Sequence, residues 1–96
     1  MKQIKKRNGQ IVDFNAEKIE EAMRKAFRTM NVPISDDKLR EMRMAIVADV
    51  EKSFPEHTPS VEHVQDRVEL VLMKEGYLEV AKHYIVYRYE HTKIRE

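Results

Sequence analysis

The chain has 96 residues, 18 Lys+Arg against 17 Asp+Glu, a formal net charge of +1 and no cysteine. This length fits one small domain, and the lack of cysteine excludes disulfides, cysteine-ligated zinc and a cysteine nucleophile. No apolar run follows the basic N-terminus and none is long enough to span a bilayer, so we expect a cytoplasmic protein with no membrane partner.

A β-hairpin is predicted over residues 3–14. Two short β-prone runs flank Asn8-Gly9, a dipeptide typical of a type I′ turn with positive φ at both central positions. An isolated hairpin is marginally stable, so this one should pack on a core. The side chains expected to hold it there are Ile4, Ile11 and Val12.

Four amphipathic helices are predicted after the hairpin, because apolar residues recur at spacings of three and four. Their expected bounds are about 16–31, 36–54, 61–75 and 77–92. The expected N-caps are Asn15, Ser35 and Ser60, and the expected C′ residue of the third helix is Gly76. Short connections favour a compact four-helix bundle with the hairpin at one end or side, a mainly α member of the α+β class.

Positive charge concentrates in the hairpin and at the start of the first helix. Lys5, Lys6 and Arg7 belong to the first predicted strand, with Lys2 just before it, and Lys18 lies in the first helical turn, where a cation opposes the helix dipole. Free backbone N–H groups at this helix end and the cations could together hold a phosphate. A solvated basic surface is the other interpretation.

An arginine lies on the apolar stripe of the last helix. Arg88 there needs a partner or a route to water. It can extend to solvent, pair with an acid, or reach a phosphate, and the residue spacing does not choose among these.

The sequence contains no motif for catalysis or for metal binding. His57 and His63 are six residues apart and His83 and His91 eight apart, so neither pair has the i,i+4 spacing of a helical two-histidine site. Neither the G-x-x-x-x-G-K-[ST] phosphate loop nor G-x-S-x-G occurs. We therefore expect a protein that is not an enzyme and holds no structural metal.

The N-terminal segment IKKRNGQIVDFNAEKI, residues 4–19, resembles the opening of the ATP-cone domain. That opening has a lysine-arginine pair, an Asp/Asn-Gly turn, a Phe-Asp/Asn pair and a Lys-Ile pair. VQDRVE at 64–69 and YLEVAKHYIVYR at 77–88 resemble its closing helices. The similarity covers nearly the whole chain in the same order, and the motifs are jointly specific.

The resemblance implies a regulatory module that binds ATP or dATP, with Mg²⁺, and controls the activity and oligomeric state of a ribonucleotide reductase. The implied partners are the reductase catalytic domain or subunit and a nucleotide-dependent homo-oligomer. The implied fold is a four-helix bundle capped by a three-stranded sheet, with the connector near Thr58 as the third strand. A zinc-ribbon repressor shares the domain but needs four cysteines, which this sequence lacks.

The resemblance also assigns site residues. Lys6 and Lys18 would hold phosphates with Arg7 nearby, and Asn15 would touch the nucleotide. Val12 departs from the pattern, since many members carry a glutamate there. The pocket for the base or sugar would be formed by Ile4, Ile19 and Val64, with Ser60 or Val61 bordering the base. The full set of expected nucleotide-binding residues is Ile4, Lys6, Arg7, Asn15, Lys18, Ile19, Ser60, Val61, Val64 and Arg88.

Two other functions stay open on the sequence. A nucleic-acid-binding module would use the cations of the hairpin and bind any polyanion with strong salt dependence. The balanced net charge of +1 disfavours it. A helical interaction domain without a ligand is the third, and it predicts no stabilisation by any nucleotide.

Overall fold

A computed structural model of the chain describes residues 2–53 and 57–95, with side chains described up to residue 90. The molecule is mainly helical, and within these ranges no helix has the length and apolar character that a membrane span requires. The elements are β1 (Gln3–Lys5), β2 (Ile11–Asp13), α1 (Glu17–Thr29), α2 (Asp36–Ser53), α3 (Val61–Lys74) and α4 (Leu78–Arg95).

The four helices form a bundle around one hydrophobic core. α1 packs against α2 and α4, and α3 packs against the same two helices, which closes the ring. Each helix contributes the apolar stripe expected from its sequence, because that stripe is buried when the helices pack side by side. The fully buried side chains are Met23, Phe27, Leu39, Met42, Ile46, Val50, Val68, Leu72 and Val80.

Left-handed residues end α1 and α3. Asn31 has φ 56°, and the Val32 N–H donates to the Phe27 carbonyl at 2.9 Å, as in a Schellman motif. Gly76 has φ 86° and the Tyr77 N–H donates to the Leu72 carbonyl at 2.9 Å, which confirms Gly76 as a C′ residue. Both helices therefore stop slightly before their predicted ends.

The end of α4 was predicted too early. The helix continues to Arg95 rather than ending near residue 92. Loss of the apolar stripe does not end a helix, since no glycine or proline follows Gly76 to interrupt the backbone hydrogen bonds. The predicted last residue of α2, Phe54, lies outside the described residues.

The two strands are antiparallel and pair Ile4 with Val12 and Lys5 with Ile11. Ile4 is buried and Val12 is half-buried against the core. The expectation that Ile11 also holds the hairpin on the core is wrong, since it is 51% exposed. Neighbouring residues of a strand point to opposite faces, so Ile11 must face away when Val12 faces the bundle.

The hairpin turn is not type I′. The Gly9 N–H donates to the Lys6 carbonyl at 2.9 Å and the Lys6 N–H to the Gln10 carbonyl at 2.8 Å, which leaves a three-residue loop. Within this loop Gly9 has positive φ, 87°, and Asn8 does not. In a three-residue hairpin loop of this kind, a glycine with positive φ at the end of the loop forms a β-bulge. The Asn8 side chain accepts a hydrogen bond from the Gln10 N–H at 2.9 Å, which stabilises the loop.

We expect Gly9→Ala to lower the free energy of unfolding by about 1 kcal/mol, because an L side chain at positive φ is strained. A Cβ at Gly9 would meet nothing within 4 Å, so the loss measures backbone strain alone. Gly9→Asn is the matched control and should lose less, since asparagine tolerates the left-handed region. Urea denaturation of the three proteins tests this, and equal losses for alanine and asparagine would contradict it.

The predicted three-stranded sheet is wrong: the described residues form a two-stranded sheet. The segment before α3 meets β1 at a single parallel bridge between Lys5 and Ser60, where the Lys5 N–H donates to the Pro59 carbonyl at 2.9 Å. Pro59 has no N–H to donate in return, and Ser60 already caps α3. A ladder therefore cannot extend along this connector.

Candidate functional site

Three elements meet at one end of the bundle, here called the hairpin end and formed by residues 2–19 and 59–64. The Lys5–Pro59 hydrogen bond attaches β1 to the segment before α3. An ion pair between Arg7 Nε and Glu62 Oε1, at 3.2 Å, attaches the hairpin loop to the first turn of α3. The hairpin end contains nine of the ten expected site residues, and Arg88 lies on α4.

The three expected apolar site residues belong to the same core cluster. Ile4, Ile19 and Val64 come from β1, α1 and α3, and all three are buried. Val12 and Val61 are half-buried against this cluster. The fold therefore brings the expected apolar residues of three elements into one cluster at the hairpin end.

The start of α1 leaves few backbone donors for an anion. Asn15 Oδ1 accepts from the Glu17 N–H at 3.0 Å, and the Asn15 carbonyl accepts from the Lys18 N–H at 3.2 Å. Asn15 thus caps the first turn, although Ala16 is the N-cap by position. The Ile19 N–H donates to the Ala16 carbonyl at 3.1 Å. Free N–H groups were expected here, but these three already have acceptors, so side-chain cations remain to bind a phosphate.

Those cations differ in their partners. Lys6 and Lys18 are exposed, and within the described part of the chain no carboxylate lies within ion-pair distance of either. Arg7 is the cation paired with Glu62. Of the cations expected to bind phosphate, the two lysines are therefore available and the arginine already has a counterion.

Ser60 is confirmed as the N-cap of α3. Its Oγ accepts from the His63 N–H at 3.2 Å, and its own N–H donates to His63 Nδ1 at 3.3 Å, which completes a capping box. This role of His63 is not predicted from the sequence, because a capping box normally has Glu or Gln at that position. The sequence feature that could have indicated the capping box is a histidine, with a ring nitrogen able to accept a hydrogen bond, three residues after a capping serine.

Arg88 pairs with acids of α3. Its Nη1 lies 2.7 Å from Asp66 Oδ1 and 2.8 Å from Glu69 Oε1, and its Nη2 donates to the Glu62 carbonyl at 3.4 Å. Burial lowers the pKa of Arg88, but the hydrogen bonds to Glu69 and Asp66 outweigh it and raise the pKa above the usual value. Of the three possibilities left open by the sequence, the structure selects pairing with an acid.

A small cleft lies away from the hairpin end, between α1 and α4. It has a volume of about 50 Å³ and is lined by Lys25, Thr29, His83 and Tyr87 among others. Small-molecule sites usually measure ~300–1,000 Å³, so this cleft is too small for a nucleotide. Among the described residues no group of three or more His, Cys, Asp or Glu could hold a metal ion.

Comparison with known proteins gives consistent matches. A family model described as the ATP cone domain matches residues 2–93. The chain is 37% identical over 98 residues to the ribonucleoside-diphosphate reductase subunit alpha of Chlamydia pneumoniae, which covers 96% of this chain and 9% of that protein. The corresponding subunit of Chlamydia trachomatis is 35% identical over 101 residues, covering 97% and 10%.

A relative of another type also matches. The vitamin B12-dependent ribonucleoside-diphosphate reductase of Thermoplasma acidophilum is 37% identical over 103 residues, which covers 100% of this chain and 13% of that protein. The chain thus spans about a tenth of the length of the curated relatives it matches.

Proposed function

The chain belongs to the ATP cone domain family, and we propose that it is a non-catalytic module that binds ATP or dATP and thereby regulates a ribonucleotide reductase. The observation that carries this proposal is the juxtaposition, at the hairpin end, of a buried apolar cluster with exposed, available lysines. The apolar part suits a base and the lysines suit phosphates.

In the proposed complex the base and sugar contact the edges of the apolar side chains Ile4, Ile19 and Val64, bordered by Ser60 or Val61. Lys6 and Lys18 bind the phosphates, with Arg7 and Asn15 beside them. Arg88 is left out of the proposed site, because its guanidinium already binds two carboxylates of α3. We assign it instead to holding α3 and α4 together.

Mg²⁺ is proposed to arrive bound to the triphosphate. Magnesium in nucleotide sites is held largely by phosphate oxygens and keeps several waters. The lack of a metal-ligand cluster among the described residues agrees with this arrangement. When bound, the ion would neutralise part of the phosphate charge.

Regulation is proposed to work by a population shift. The hairpin is attached to the bundle by few contacts, including the Lys5–Pro59 hydrogen bond, the Arg7–Glu62 ion pair and the buried Ile4 side chain. A nucleotide that contacts both hairpin and helices favours one arrangement of the two. The surface offered to the reductase catalytic domain, or to a second copy, changes with that arrangement.

We expect the double variant Lys6→Ala/Lys18→Ala to bind ATP about tenfold more weakly, a loss of ~1.4 kcal/mol, because two phosphate-binding cations are removed. Isothermal titration calorimetry with ATP and with dATP, each with MgCl₂, measures this. The matched control is Lys74→Ala/Lys82→Ala, which makes the same charge change at the opposite end of the bundle. The control should bind as the unmodified protein does.

Two results would contradict the proposal at different points. If the unmodified protein binds neither nucleotide at millimolar concentration, the nucleotide-binding function is wrong. If it binds but the Lys6→Ala/Lys18→Ala variant binds equally well, the function stands and these two lysines lie outside the site.

A further inference from the structure

The first turn of α3 positions a carboxylate among the cations of the hairpin end. Glu62 Oε1 lies 3.2 Å from Arg7 Nε, and the two side chains are 35% and 39% exposed, so a ligand in solution can reach both. Lys6 and Lys18 have no carboxylate partner within the described ranges. Arg7, the cation beside the two proposed phosphate-binding lysines, therefore already has an internal counterion.

Two features stabilise Glu62 at this position. It lies in the first turn of α3, where the helix dipole stabilises a negative charge. Its backbone carbonyl accepts a hydrogen bond from Arg88 Nη2 at 3.4 Å. The same residue thus contacts the hairpin loop through its side chain and α4 through its backbone.

We propose that the Glu62 carboxylate competes with the phosphate group of a nucleotide for Arg7, and so lowers the affinity of the site. This inference rests on the function proposed above. A planar guanidinium binds phosphate best through two parallel N–H donors, and the Glu62 carboxylate lies 3.2 Å from one edge of this guanidinium, at Nε. A phosphate must displace or share with this carboxylate, which also repels it.

The test is Glu62→Gln, which keeps the size of the side chain and removes its charge. We expect ATP with MgCl₂ to bind about two- to fivefold more tightly, the range set by the strength of an exposed ion pair. Inorganic tripolyphosphate should show a similar gain, because the effect acts on the phosphates and not on the base. Glu79→Gln is the matched control at the opposite end of the bundle, and it should change the affinity little.

A second pair of variants shows whether Glu62 acts through Arg7. In an Arg7→Gln background, Glu62→Gln should improve ATP binding less than it does in the unmodified protein, because only the repulsion between carboxylate and phosphate is left to remove. An equal gain in the two backgrounds would overturn the proposal. Thermal unfolding of every variant without ligand keeps folding effects separate from binding effects.

The outcomes also separate this inference from the proposed function. If the unmodified protein binds neither ATP nor tripolyphosphate, both are overturned. If it binds ATP and Glu62→Gln binds equally or more weakly, the nucleotide-binding function stands and the competition between Glu62 and phosphate is overturned.

Discussion

Phe27→Ala is expected to lower the free energy of unfolding by about 4 kcal/mol, because it removes a large side chain from the core and leaves a cavity. Phe27 is 1% exposed. Its ring also packs edge to face against Tyr77, with centroids 4.8 Å apart and an interplanar angle of 80°. Domains of this size have free energies of unfolding of roughly 5–15 kcal/mol, so this single change should remove much of the stability.

Urea denaturation followed by circular dichroism measures the effect of Phe27→Ala. The matched control is Tyr89→Ala, which also removes an aromatic ring but from a side chain that is 66% exposed. It should change the unfolding free energy by less than about 0.5 kcal/mol. Similar losses in the two variants would contradict the assignment of Phe27 to the centre of the core.

Arg88→Ala is expected to cost about 2 kcal/mol of unfolding free energy, because it leaves the Glu69 carboxylate without its arginine partner. Glu69 is 17% exposed at its side chain, so water replaces the lost partner poorly. Asp66 is more exposed and should be solvated easily. Because its pKa is raised, Arg88 contributes fully below the ordinary pKa of arginine wherever its carboxylate partners are ionised, and this contribution is lost as the pH rises through the raised pKa.

The control for Arg88→Ala is Arg40→Ala, which breaks an exposed ion pair with Asp37 at 3.7 Å and should cost little. The double variant Arg88→Met/Glu69→Met should recover most of the lost stability, because apolar side chains can replace a partly buried ion pair. If Arg88→Ala is as mild as Arg40→Ala in urea denaturation, Arg88 does not hold α3 and α4 together.

Local features of the fold were predictable, because they depend on a few neighbouring residues. The helical stripes follow from apolar spacing, and Ser60 and Gly76 have the chemistry of a cap and of a left-handed end. The turn type was harder to predict, since Asn8-Gly9 suits both a two-residue type I′ loop and the observed three-residue loop. Ile11 was assigned to the core on its hydrophobicity, whereas strand alternation directs it to solvent.

The predicted third strand does not form, and the reason is different. The sequence around Thr58 contains β-compatible residues, but a strand forms only where both partners can exchange hydrogen bonds. Pro59 lacks the donor and Ser60 is committed to capping α3, so a single bridge to Lys5 forms instead. The third strand is therefore absent because two adjacent residues, Pro59 and Ser60, cannot both take part in a ladder of hydrogen bonds.

The sequence by itself determined the helical stripes, the hairpin and the family, because periodicity, caps and motif order are properties of the chain alone. Only the tertiary structure decided the partners of the charged residues. Arg7 meets Glu62 across two elements, and Arg88 meets Asp66 and Glu69 across two helices. Packing brings these residues together over long separations in the chain, and no local pattern specifies which acid a given arginine will reach.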